Sequence, residues 1–200
     1  MPKQVDHDAR RDQVARVAAD LVADHGLGAL TVRRVAEAAG HSTTVVSHYF
    51  ADRRDLVRAT YRVAAARSSA RFDAALVDAD DPLQACLEAL LPLDLERARD
   101  VRTWLAFWAM AVDDPELAAE QDARVQSARR RITDVLAGEQ ERGRVRSGTD
   151  LADVAYRLLV LVHGVGTHAE FDRGYWTPGR QRQAVADELA GLLVVRRATG

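Results

Sequence analysis

Between residues 42 and 53 the chain sets polar side chains at helical spacing. Thr43, Thr44, Ser47 and His48 fall on one side of a short helix, opposite Val46 and Phe50. Hydroxyls, a threonine methyl and an imidazole are the groups that read base-pair edges in a major groove, where every pair displays its own donor and acceptor pattern. Tyr49, Arg53 and Arg33 stand where they can hold phosphates, and Arg33 also where it can reach a guanine. The bland alternative is a solvated three-helix bundle whose polar residues only face water.

A second constellation is aromatic. Trp104 and Trp108 share a helix face with Phe107 beside them. Such a stripe is either core or one wall of a cavity for an apolar molecule or, through the ring quadrupoles, a cation. Tyr175 and Trp176 are placed to close such a cavity, and Glu170, Asp172, Asp94 and Glu96 are the carboxylates that could balance a cation. His163 reads either as a hydrogen-bonded packing residue or as a ligand contact.

Catalytic chemistry finds less support. Gly164, Gly166 and Ala169 have the G-x-G-x-x-A spacing of a dinucleotide-binding turn, but that turn needs a strand on each side. The segment after it reads as a helix from Pro178 to Arg197, so the glycines are better explained as a close approach of two helices. His163 and His168 are five residues apart and do not share the face that a metal-binding pair four apart would share. No nucleophile-elbow motif occurs. We therefore expect no enzyme activity, metal or cofactor.

The elements that must position these groups are helical. Alanine, leucine and arginine dominate, and β-branched runs are few. Val14, Val17, Ala18, Leu21 and Val22 predict a helix from Arg10 to His25, stopped by Gly26. Thr31 caps a second helix that ends at Gly40, and Ser42 caps a third from Thr43 to Phe50. Two short helices joined by a tight turn and backed by a third describe a helix-turn-helix. A longer helix follows from Asp52 to about Leu76. Asp81-Pro82, Asp114-Pro115 and Thr177-Pro178 mark later starts, and Pro92 breaks the helix before it. The expectation is an all-α chain of about nine helices, with the helix-turn-helix domain at residues 1–52 and a second helical domain at 53–200.

Bulk properties narrow the class further. Over 200 residues the net charge is −2, with nine basic and eight acidic groups in residues 1–60, so nucleic-acid binding must rest on a few placed cations. The single Cys86 cannot close an intrachain bridge, and no stretch has the apolar length of a membrane span. A cytoplasmic protein without membrane association is expected.

LTVRRVAEAAGHSTTVVSHYFADRRDLVRAT resembles the DNA-binding segment of the tetracycline-repressor (TetR) family of bacterial transcriptional regulators. The resemblance implies that Thr31 and Arg33 touch the backbone or an edge base, and that Thr43, Thr44, Val45, Ser47 and His48 face the groove from a helix opened by Ser42. Tyr49 and Arg53 then grip phosphate. Arg53 stands where the family usually has lysine, and His41 where it has an apolar residue. ALLPLDLERARDVRTWLAFWAMAVDDPELA is similar to the branch that includes choline-sensing repressors of glycine betaine synthesis, with His163 and Gly166 replacing that branch's aspartate and later tryptophan.

These likenesses imply a ligand-responsive repressor that binds a near-palindromic operator in double-stranded DNA as a homodimer and is released by a small organic effector. Trp104, Phe107, Trp108, His163 and Trp176 are the effector candidates. The aromatics and the resemblance favour a cation, and His163 in place of aspartate favours an apolar compound. Dimerisation is expected through Leu151, Val154, Leu158, Leu161 and Val162 with Leu189, Leu192 and Leu193. The competing reading is a helical ligand-binding or scaffold protein without DNA readout.

Overall fold

The computed structural model describes the backbone of residues 2–193 and the side chains of residues 8–193. Its elements are α1 (Pro2–His25), a 3-10 turn (Leu27–Ala29), α2 (Val32–Ala39), α3 (Thr43–Tyr49), α4 (Arg53–Leu76), α5 (Pro82–Glu88), α6 (Leu95–Ala111), α7 (Pro115–Glu141), α8 (Leu151–Phe171) and α9 (Pro178–Leu192). No strand occurs among the described residues. Among the described residues the all-α expectation and the count of about nine helices hold. α1 begins eight residues earlier than its apolar periodicity indicates, at a proline that the first helical position tolerates. The part of the last expected helix that runs to Arg197 lies outside the described residues.

Local chemistry sets the ends of these helices. The Thr31 side chain accepts from the Arg34 N–H and Ser42 from Val45, while Asp81 and Thr177 each cap a helix with proline in its first turn. Asp94 caps α6, Asp114 α7 and Asp150 α8 in the same manner. Each such cap contributes about 0.5 to 2 kcal/mol. Gly40, at φ 67°, takes the left-handed conformation that ends α2, which a side chain would resist.

The chain packs as two compact units. One comprises residues 1–68 and 99–119, the other 69–98 and 120–200. In the first, Val14, Val22, Leu30, Val35, Val46, Phe50 and Leu56 form a core with Tyr61 of α4, Trp104 and Phe107 of α6, and Leu117. The core of the second joins Phe72, Leu83, Leu87, Ile132, Leu136, Leu158, Val162, Val185 and Leu189. Four of the residues expected at a dimer face, Val154, Leu158, Val162 and Leu189, are thus consumed by the chain's own core. An apolar stripe must be covered, but periodicity does not say by which partner. Gly164 and Gly166 sit inside α8, so the dinucleotide turn has no structural basis.

Candidate nucleic-acid interface

α3 is only seven residues long, too short to be stable alone in water, so its neighbours must hold it. Val46 and Phe50 anchor it from below, and Ser42 caps its start. That leaves Thr43, Thr44, Ser47 and His48 exposed together on the opposite side, with Val45 half-buried at the margin. The His48 and Tyr49 rings meet edge to face at 5.7 Å, which orders the imidazole at the end of the row. Thr31 and Arg33 are exposed at the start of α2.

Arg53 is exposed but not idle. Its Nε donates to the Leu30 carbonyl at 3.4 Å and one terminal nitrogen to the Leu27 carbonyl at 3.1 Å. The guanidinium therefore ties the start of α4 to the 3-10 turn, a two-point contact that lysine's single ammonium could not reproduce in the same geometry. Its neighbour Arg54 is committed elsewhere, to Asp114 and Glu116. Burial opposes ionisation of the Asp114 carboxyl, but the Arg54 hydrogen bond and the backbone N–H groups of Leu117 and Glu116 outweigh it and hold the group below its ordinary range.

Sequence reasoning missed Arg11. From α1 its Nε donates to the Tyr49 carbonyl at 3.2 Å and one terminal nitrogen to the Asp55 Oδ1 at 2.7 Å, while its guanidinium lies 4.9 Å from the Phe50 ring centre. The partners are 38 and 44 residues away. No local pattern announces such a contact.

The effector candidates divide between the two units. Trp104 and Phe107 are 6% and 1% exposed within the first core, and the Phe107 ring stacks on Tyr61 with centres 3.7 Å apart and planes 11° from parallel. Trp108 is half-buried against the same core. His163 and Trp176 belong to the second unit, where Trp176 packs partly against its core. Burial, with a smaller push from the positive Arg124, brings the His163 imidazole down to about 4, so it is neutral at physiological pH. Among the described residues no cluster of His, Cys, Asp and Glu could hold a metal ion, and the buried Cys86 thiol is pushed up to about 12, far from a reactive thiolate.

The chain is 28% identical to the HTH-type transcriptional regulator PksA of Bacillus subtilis over 198 residues, covering 97% of this chain and 95% of the relative. It is 31% identical to the HTH-type transcriptional regulator BetI of Burkholderia cenocepacia over 169 residues, covering 82% and 84%. Among solved structures it superposes on a Rhodococcus transcriptional regulator with a TM-score of 0.80 at 26% identity, covering 91% of this chain and 95% of the other. A regulator from Saccharomonospora viridis, solved in complex with choline, gives 0.84 at 20% identity, covering 94% and 100%, and supports the fold alone. Residues 15–60 match the N-terminal model of the bacterial regulatory proteins of the tetR family, and residues 79–194 match the C-terminal model of BetI-type transcriptional repressors. A short helix with an outward row of hydroxyls, seated on an all-α chain that matches both halves of that architecture, makes this protein a member of the TetR family of transcriptional regulators.

Proposed function

We propose that the chain acts in the cytoplasm as a homodimeric repressor, with α3 inserted into the major groove of a near-palindromic operator. Thr43, Thr44, Val45, Ser47 and His48 read base edges from the helix that Ser42 opens, while Thr31, Arg33, Tyr49 and Arg53 hold the backbone. The observation that carries this reading is the division of α3 into a buried face at Val46 and an exposed polar row. Residues 1–52, with Arg53 at the start of α4, are assigned the DNA contacts, and the rest of 53–200 the effector and dimer contacts. No described helix is long and apolar enough to cross a membrane.

For the dimer, the outward stripe of α8 replaces the face expected from periodicity. Tyr156, Val160 and Phe171 are 47%, 55% and 81% exposed, and Gly164 between them has open space where a Cβ would stand. Four residues on one helical face, three apolar and one without a side chain, suit close pairing with a second copy. Two α3 helices then enter successive major grooves about 34 to 36 Å apart.

The effector is a compact organic molecule, cationic or apolar. Trp104, Phe107 and Trp108 are candidates on α6, His163 and Trp176 in the other unit. The neutral His163 brings no charge to any contact it makes, which favours the apolar class. Since the α6 aromatics share a core with α3's support, a molecule bound against them would act on that core directly.

Binding to the DNA immediately upstream of the protein's own gene, followed by mobility shift and footprinting, tests the reading. Protection of a near-palindrome by a dimer is expected, with release by a subset of organic cations or apolar compounds that Trp108→Ala abolishes. A light-scattering monomer at micromolar concentration, or equal affinity for every duplex tried, would overturn it.

A further inference from the structure

We propose that Arg11 is a positioning residue for sequence readout: it fixes the recognition helix at its C-terminal end without itself touching DNA. This deepens the function proposed above and rests on α3 being the reading helix.

The last carbonyls of a helix have no partner within it, and the helix dipole makes that end negative. α3 closes with the Phe50 N–H on the Val46 carbonyl, and the carbonyl of its last residue, Tyr49, takes a hydrogen bond from outside the helix. Arg11 supplies it at 3.2 Å, and its positive charge lies against the negative end. The same guanidinium covers the Phe50 ring that anchors α3 in the core.

Asp55 completes the arrangement. Its Oδ1 holds Arg11 at 2.7 Å, and its Oδ2 accepts the Ala51 N–H at 3.3 Å, while the Asp55 N–H donates to the Asp52 carboxylate at 2.8 Å. The passage from α3 into α4 is therefore held at two points, at Tyr49, the last residue of α3, by Arg11 and at Ala51 by Asp55. Both side chains are about one third exposed, so water reaches the pair but the guanidinium is already shared among a carboxylate, a carbonyl and a ring. A cation spent in that way is a poor phosphate neutraliser.

The consequence for recognition is selective. Hydrogen bonds to base edges weaken steeply with small changes in distance and angle, whereas attraction to phosphates does not. Loosening the C-terminal end of α3 should therefore cost the operator far more than random DNA. Asp55 serves the same end through Arg11.

The test uses the full-length protein and two duplexes, one selected by the wild type from a random pool and a scrambled one of equal composition. Arg11→Ala is expected to weaken the selected duplex by about tenfold or more, to change the scrambled one by no more than about twofold, and to leave the salt slope intact. Asp55→Asn should act in the same direction, and the double variant should be little worse than either single one. Arg11→Lys, which keeps the charge but not the fork, should recover part of the loss.

If Arg11 contacts phosphate instead, Arg11→Ala will weaken both duplexes alike and lower the salt slope by roughly 0.9, and Asp55→Asn will tighten scrambled DNA by freeing the cation. Either result overturns the proposal, as does an unchanged ratio between the duplexes. Should Arg11→Ala fail to fold by circular dichroism, Arg11→Lys and Asp55→Asn give the same ratio. Failure of the underlying reading looks different: no duplex is selected from the pool, or Thr44→Ala leaves the selected sequence unchanged.

Discussion

α3 and α6 both carry their notable side chains at steps of three and four, yet one row points to water and the other into a core. On α3 the polar groups are exposed because Val46 and Phe50 satisfy the need for burial. On α6 the aromatic groups are themselves what is buried, with Phe107 stacked on Tyr61. Spacing alone gives a shared face. The chemical type of the residues decides whether that face recognises a partner or holds the unit together.

The comparison breaks most visibly at Phe107. Replacing it with alanine should cost about 3 to 5 kcal/mol, read as a lower urea midpoint, because a fully buried ring leaves a cavity. A variant as stable as the wild type would show α6 to be a free wall.

A similar inward turn on α8 predicts a pH dependence. His163 is held at about 4, below its unfolded value near 6.5, so between those values the unfolded chain binds more protons and folding stability falls on acidification. The loss saturates below pH 4 at up to about 3 kcal/mol, and His163→Gln should flatten the stability profile across that window. A wild-type profile as flat as the variant's would show the imidazole to be hydrated.

On α3 the expected effects fall on binding. Thr44→Ala should change base preference by roughly 1 kcal/mol at one position of each half-site with little change in unfolding, as measured against single-substitution duplexes. Arg53→Ala should weaken operator and random DNA alike and reduce the salt slope by roughly 0.9, alongside a slight loss of stability from the freed Leu27 and Leu30 carbonyls. A larger folding penalty than binding penalty would make Arg53 a tie between helices and nothing more.

The smallest effect is expected at Asp114. Because its pairing with Arg54 holds the carboxyl below its ordinary range, the stabilisation is present above that range and is lost as pH falls from it through the lower value of the folded chain. Asp114→Asn should lower the melting temperature slightly at low salt, and the difference should shrink at high salt, since partly exposed pairs are screened.

Features set by neighbours in sequence were legible in it. Thr31, Ser42, Asp81, Asp114 and Thr177 act within three residues of themselves, so a single segment contains both cap and capped group. The exposed row on α3 was legible for the same reason. Arg11 was not, because nothing between residues 11 and 49 signals that a carbonyl at one end waits for a guanidinium at the other. The stripe on α8 was half legible: its burial followed from periodicity, but Leu158 and Val162 found their partners within the chain, leaving Tyr156 and Val160 outside. The start of α1 was hidden by the lack of apolar rhythm before Val14.

The first compact unit is discontinuous, drawing residues 99–119 from far along the chain. That arrangement limits how such regulators can be recombined. A chimera that joins residues 1–52 to the remainder of a relative parts Val46, Phe50 and Leu30 from Tyr61, Trp104 and Phe107, with which they share a core. The first unit is therefore better exchanged whole, as residues 1–68 together with 99–119, than at one seam.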